Sequence, residues 1–266
     1  MNLALKTTCK EHEMGKLFFY YSTMNAGKST NLLQASYNYQ ERGFKTILFT
    51  FNKDNRGYGK SIGLSVSSRI GISEHAIGFD EKFDFKKIFL DLQKIKDRIL
   101  TLDEVLSVKR EELSLSSLLF GKEIEENELE EKVKEYKDIL LEILEKIDNL
   151  GALFVDEAQF LTEKQVKDLA WVVDELGFPV LCYGLRTDFL GNVFEGAKWL
   201  LGWADELVEM KTICPTGKKA TFVLRLDDNQ IPLTEGSQIL IGGNSTYLPV
   251  SRKIHRRSLT SKKIEI

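Results

Sequence analysis

Short blocks of continuous apolar residues recur along the chain, separated by stretches of helical periodicity. Leu17-Phe18-Phe19-Tyr20-Tyr21 is apolar or aromatic at every position, as expected of a strand buried on both faces. Residues 46–51, 152–155 and 179–183 repeat the pattern. Between the first two blocks the spacing predicts a helix over 28–42, closed by Gly43, because glycine adopts the left-handed conformation that ends helices. Thr162 with Gln165 three residues later forms a capping box, in which each side chain serves a backbone N–H near the other. Val166, Leu169, Ala170 and Val173 give the helix that follows an inner face, and Gly177 and Pro179 end it. Fully apolar strands alternating with helices predict an α/β core over 16–211, its parallel sheet covered on both faces.

Two stretches depart from this rhythm. From about residue 84 to 150 the chain is rich in Lys and Glu. Ile88, Leu92, Ile95, Ile99, Leu102 and Leu106 alternate four and three apart, as do Leu129, Val133, Tyr136, Leu140, Ile143, Ile147 and Leu150. Each series is a heptad seam. With a connection containing Gly121, they predict a helical-hairpin insertion, either lying on the core or protruding as a coiled coil. After Lys211 the pattern turns to short strands. Residues 221–226 and 238–241 flank the turn Asp227-Asp228-Asn229, predicting a small β-rich unit over 212–266. The basic stretch 252–263 reads as a solvated end, with a nucleic-acid contact as the alternative. Residues 1–15 read as a loose tail; Lys10, Glu11, His12 and Glu13 interrupt any apolar run there.

Composition narrows the class. The 266 residues are 42% hydrophobic, enough for a sizeable core, and the formal net charge of −3 argues against general attraction to nucleic acid or membrane. No apolar run is long enough to span a bilayer. Cys9, Cys182 and Cys214 are too few and too scattered for a disulfide framework. Cys182, inside an apolar block, reads as a small core residue. A cytoplasmic location is expected.

Two motifs carry chemistry. Ser22-Thr23-Met24-Asn25-Ala26-Gly27-Lys28-Ser29 lies between the first strand and the first helix, where a phosphate-binding P-loop belongs, although Ser22 stands where the first Gly is usual. Backbone N–H groups and the helix dipole favour phosphate there, Lys28 would bridge β- and γ-phosphate oxygens, and the Ser29 hydroxyl would ligate Mg²⁺. Phe154-Val155-Asp156-Glu157-Ala158-Gln159-Phe160 is an apolar strand ending in two acids, a Walker B pattern. One acid can serve the metal and its neighbour can serve as a general base for a sugar hydroxyl.

Together these motifs resemble those of the thymidine kinases found in bacteria and animal cytosol. Ser68-Arg69-Ile70-Gly71, the Gly-Leu-Arg-Thr-Asp-Phe run ending at Phe189, and Ile241-Gly242-Gly243-Asn244 through Tyr247 are similar to further segments of that family. The resemblance implies a RecA-like P-loop fold with a C-terminal lid, transfer of phosphate from ATP to thymidine with Mg²⁺, and a homotetramer; from charge and hydropathy, neither a nucleic-acid nor a membrane partner is expected. It implies Glu157 as catalytic base, with Lys28 and Arg69 stabilising the transferring phosphoryl group. Ser29 and Asp156 would hold Mg²⁺, and 22–29 with Asp156, Glu157, Ala158 and Gln159 would bind the nucleotide. Met24, Phe160, Leu185 and Phe194 would wall the nucleoside pocket, and the loop from Val223 to Tyr247 would close over thymine. The family usually carries a structural zinc in the small domain. Here Cys214 keeps the first ligand position, but Thr216, Ser251 and Ile254 hold the others and His255 is one residue out of step. Neutral hydroxyls replace thiolates poorly, so zinc is expected to be absent. A deoxynucleoside kinase of altered base specificity and a non-catalytic P-loop assembly module are the alternatives.

Overall fold

A computed structural model describes residues 15–52, 63–105, 129–238 and 247–266, the side chains of 97–105 and 129–133 excepted. The tail up to residue 14, Cys9, Leu106, Gly121 and the 241–244 segment lie outside the described residues, as do the side chains of Ile99, Leu102, Leu129 and Val133.

The centre is a seven-stranded sheet in the order β3-β4-β2-β5-β6-β1-β7. Its strands are β1 (Leu17–Ser22), β2 (Lys45–Phe51), β3 (Leu64–Ser67), β4 (Ser73–Phe79), β5 (Leu150–Val155), β6 (Val180–Leu185) and β7 (Glu206–Glu209). All neighbours run parallel except β3 and β4, which form an antiparallel hairpin. The pleat sends alternate residues to opposite faces, and both are covered, which is why the strands read as continuous apolar blocks. Ile47, Phe49, Leu153, Val155, Val180 and Cys182 point into one cluster. Leu48, Ala152, Phe154, Leu181 and Tyr183 point into the other, packed by Leu32 and Leu33 of helix α1 (Lys28–Glu41).

The first face is covered by α2 (Phe85–Val105), α3 (Leu129–Ile147), α4 (Glu163–Trp171) and α5 (Glu195–Trp203). The inner part of the heptad insertion therefore lies on the core: Ile88, Leu92 and Ile95 of α2 and Leu140, Ile143 and Ile147 of α3 are buried with the strand side chains. Leu150, read as the last position of the second seam, instead begins β5 and pairs with Lys45. The Tyr136 hydroxyl donates to Asp91 Oδ2 at 2.8 Å, tying the two helices together. The Thr162–Gln165 capping box starts α4 as expected. A π turn, Val172–Leu176, then extends it to Gly177.

The small unit has its own core of Cys214, Ala220, Leu224, Leu226, Val250 and Ile254. Of the two runs read as short strands, 221–226 contains β10 (Phe222–Arg225), which pairs in antiparallel register with β11 (Tyr247–Val250), while 239–241 lies outside the described residues. One reading of this region is corrected. The basic end is not wholly solvated: residues Arg252–Ser261 form a helix, α6, that buries Ile254, His255 and Ser258. Its charges fall on the outward face, which composition alone could not distinguish from a solvated tail. The remaining strands, β8 (Thr212–Ile213) and β9 (Lys219–Ala220), form a short hairpin.

Candidate active site

The P-loop is the turn from β1 into α1. Gly27 precedes the helix at φ 74°, a left-handed conformation that suits glycine, and the first helical residues are Lys28 and Ser29. Ser22 is the buried last residue of β1, in extended backbone open to any residue, so a serine fits where glycine is usual. Its hydroxyl accepts from Lys28 Nζ at 3.1 Å, and Lys28 also donates to the Thr23 carbonyl at 3.2 Å. Burial of the ammonium lowers the Lys28 pKa and nearby Arg69 adds to this, while the carboxylates of Glu157 and Asp156 oppose it.

One strand, β6, separates β1 from β5, and the chemistry meets across it at the carboxyl edge of the sheet. Ser29 Oγ donates to Asp156 Oδ2 at 3.0 Å. Asp156 is 6% exposed. Its carboxyl pKa is pushed up to about 6, first by desolvation and then by the charge of Glu157; the backbone N–H of Glu157, the Ser29 hydroxyl and Lys28 pull the other way. A hydroxyl and a carboxylate converging on one point are hard oxygen donors, the set that suits Mg²⁺. The residues present therefore fit that ion.

Glu157 has a left-handed backbone, φ 54° and ψ 35°, a conformation that costs a non-glycine residue about 1–3 kcal/mol and clusters at functional sites. It begins the single 3₁₀ turn Ala158–Phe160. Its carboxylate accepts from Gln159 Nε2 at 2.5 Å. Gln159 is 2% exposed, and its own Oε1 accepts from Leu185 N at 2.9 Å, so the end of β6 fixes the amide that holds Glu157.

Arg69 reaches the same place from the β3–β4 turn, where its Nη2 donates to Asn25 Oδ1 at 2.5 Å. Asn25, at φ 64°, is held from the small unit as well, by a 3.2 Å bond from Thr212 Oγ1 to its carbonyl. Phe160 and Phe194 meet edge to face at 5.9 Å between ring centroids, and Phe160 also packs on Phe51 at 4.6 Å. Leu185 is partly buried against the same cluster, and Met24 is half-buried in the P-loop. Val223 and Tyr247 lie on β10 and β11; Val223 is buried there, and Tyr247 pairs with Arg225.

The metal-like positions of the small unit are engaged otherwise. Cys214 Sγ lies 2.9 Å from Thr216 Oγ1, and Ser251 Oγ caps α6 by accepting from Ile254 N at 3.4 Å. Ile254 is in the apolar core, and His255 Nε2 bonds the Phe189 carbonyl at 2.7 Å. One thiol, two neutral hydroxyls and an alkyl chain do not form a zinc donor set.

Sequence reasoning did not single out Arg225, although a lone charge in the apolar run Val223-Leu224-Arg225-Leu226 was a signal. Nor did it find Tyr183, whose hydroxyl donates to Asn31 of α1 at 3.1 Å while its ring stacks on Tyr20 at 4.6 Å.

Comparison with known proteins identifies the family. The family model described as "Thymidine kinase" matches residues 15–124 and 121–255. A thymidine kinase of Pasteurella multocida (strain Pm70) is 44% identical over 249 residues, covering 92% of this chain and 99% of that protein. One of Escherichia coli (strain K12) is 42% identical over 247 residues, 92% of this chain and 93% of the other. One of Yersinia pestis is 41% identical over 247 residues, with coverages of 92% and 97%. A match of this depth, running through the P-loop, the paired acids and the small unit alike, places the chain in the thymidine kinase family.

Proposed function

We propose that the chain transfers the γ-phosphoryl group of ATP to the 5′-hydroxyl of thymidine, leaving ADP and thymidine monophosphate. The observation that carries this reading is the meeting of Lys28, Ser29, Asp156 and Glu157 at one edge of the sheet. It supplies a cation for phosphate, oxygen donors for a divalent ion, and a further carboxylate beside them. Family membership supports thymidine as acceptor, against an altered base specificity or a non-catalytic module.

In this mechanism Lys28, the backbone N–H groups of 25–29 and the α1 dipole bind and orient the triphosphate. Ser29 and Asp156 would hold Mg²⁺, whose charge offsets that of the phosphates. Glu157 takes the proton of the 5′-hydroxyl as that oxygen attacks the γ-phosphorus and ADP leaves. Its left-handed backbone and the Gln159 amide aim the carboxylate before substrate arrives. Arg69 leaves Asn25 for the γ-phosphoryl oxygens, where its charge is worth most in the transition state. Met24, Leu185, Phe160 and Phe194 form the nucleoside wall, and Val223 and Tyr247 belong to the lid that covers it.

The same proposal divides the chain into a kinase core over 16–211 and a lid over 212–266, without zinc, in a cytoplasmic homotetramer. Among the described residues no helix is long and apolar enough to cross a membrane. The test of the mechanism is Glu157→Gln, which preserves shape and removes the base. Its kcat should fall about 10²- to 10⁴-fold with ATP affinity kept. An unchanged kcat removes Glu157 from the role.

A further inference from the structure

We infer that Arg225 is a positioning residue: its buried guanidinium clamps lid segment 233–238 onto the loop that carries the nucleoside wall, and so sets thymidine affinity. The link to thymidine rests on the function proposed above; the clamp itself rests on geometry.

Arg225 closes β10 and is 4% exposed. No ion pair with a carboxylate accompanies it among the described residues, and its Nε has no hydrogen-bond partner. A buried cation of this kind is costly, and an apolar side chain of similar size would serve stability as well or better. What Arg225 does instead is join two segments. Its guanidinium carbon lies 3.8 Å from the centroid of the Phe189 ring, and its Nη1 donates to the Ser237 carbonyl at 2.7 Å.

Phe189 belongs to the turn between Leu185 and Phe194, both proposed wall residues. That turn is rigid. Asp188 is buried and accepts from the backbone of Leu190 at 2.9 Å and of Asn192 at 2.8 Å, and Thr187 and Val193 form a β-bridge. A second bond follows the same path, from Gln238 Nε2 to Asp188 Oδ2 at 3.2 Å. The lid segment is fitted to the guanidinium. Gly236 has φ 131°, and a Cβ there would lie 2.2 Å from Arg225 Nη2. A methyl there would have to push the guanidinium aside, in a backbone conformation that favours glycine.

The test measures both substrates in Arg225→Met, Arg225→Lys and Gly236→Ala. Arg225→Met keeps an alkyl stem and removes charge and donor. A hydrogen bond from a charged group is worth enough that its thymidine KM should rise about ten- to hundredfold. The ATP KM should stay unchanged and kcat within about twofold. Arg225→Lys should recover part of the affinity through an ammonium on Ser237, and keeps the test open if Arg225→Met does not fold. Gly236→Ala should raise the same KM, and adding Arg225→Met should cost less than the sum of the single changes, because the added methyl has lost the group it meets. Hydrogen exchange over 233–238 should quicken in Arg225→Met, whatever the substrate. A thymidine KM unchanged in both Arg225→Met and Gly236→Ala, or unchanged exchange over 233–238, overturns the clamp. If the parent chain phosphorylates no thymidine, the proposed function fails instead, and exchange alone decides the clamp.

Discussion

Asp156 is held under electrostatic tension in the candidate site. Its carboxyl would ionise at 3.8 in the unfolded chain, and desolvation with the neighbouring Glu157 raises this to about 6. The raised value means that the fold penalises the ionised form. The penalty is fully present above about pH 6 and vanishes as the pH falls through 6 towards 4, where the group is neutral folded and unfolded alike. In the substrate-free chain with a chelator present, Asp156→Asn should therefore raise Tm near neutrality. The gain should shrink on acidification through that window, and activity should be lost. Melting curves check this; a gain that grows towards low pH contradicts it. The pair of acids was legible in the sequence because the strand before it is uniformly apolar. What it could not show is the left-handed backbone of Glu157 and the Gln159 amide that aims it, since that amide is fixed by Leu185, distant in the chain. The Arg225 contacts were hidden for the same reason, spanning β10, the turn after β6 and the lid segment.

At the scale of elements, α4 shows how one polar side chain joins neighbours. Gln165 is 1% exposed, and its Oε1 accepts from Thr162 N at 3.0 Å as half of the capping box. Its Nε2 donates to the carbonyls of Asp80 and Phe83 at 2.7 and 2.9 Å, fastening the turn before α2. Gln165→Leu should thus cost more than the usual loss of a cap, which is about 1 kcal/mol, because two carbonyls are left without their donor. About 2–4 kcal/mol by denaturant titration is expected, whereas a loss under 1 kcal/mol would mean that water replaces the amide. The capping box could be read directly, being local in sequence. The π turn at Val172–Leu176 and the helical character of the basic end could not. The first continues a helical pattern without a break, and the second hides buried Ile254, His255 and Ser258 among charges. Likewise the pairing of β10 with β11 was not legible, because pairing is settled by the register of distant segments.

Considered whole, the molecule joins a deeply buried sheet to a small unit with an apolar core of its own. Cys214 and Ile254 pack together there with Leu224 and Val250, and Thr216 and Ser251 beside them offer only neutral hydroxyls, which replace thiolates poorly. The small domain should therefore stand without zinc. Elemental analysis should find well under one zinc per chain, and EDTA should leave Tm unchanged; stoichiometric zinc would overturn this. The order of strands, inserted helices and short strands along the chain was legible because apolar blocks, heptads and short apolar runs follow one another cleanly, while the attachment of the small unit to the sheet depends on single side chains. Phosphate transfer to thymidine can be followed with labelled γ-phosphate from ATP, with Mg²⁺, into a panel of thymidine, deoxyuridine, deoxycytidine and deoxyadenosine. Strong transfer to thymidine, abolished in Glu157→Gln, is expected. A folded, ATP-binding chain that labels none of the four nucleosides, or that labels another in preference to thymidine, would contradict this.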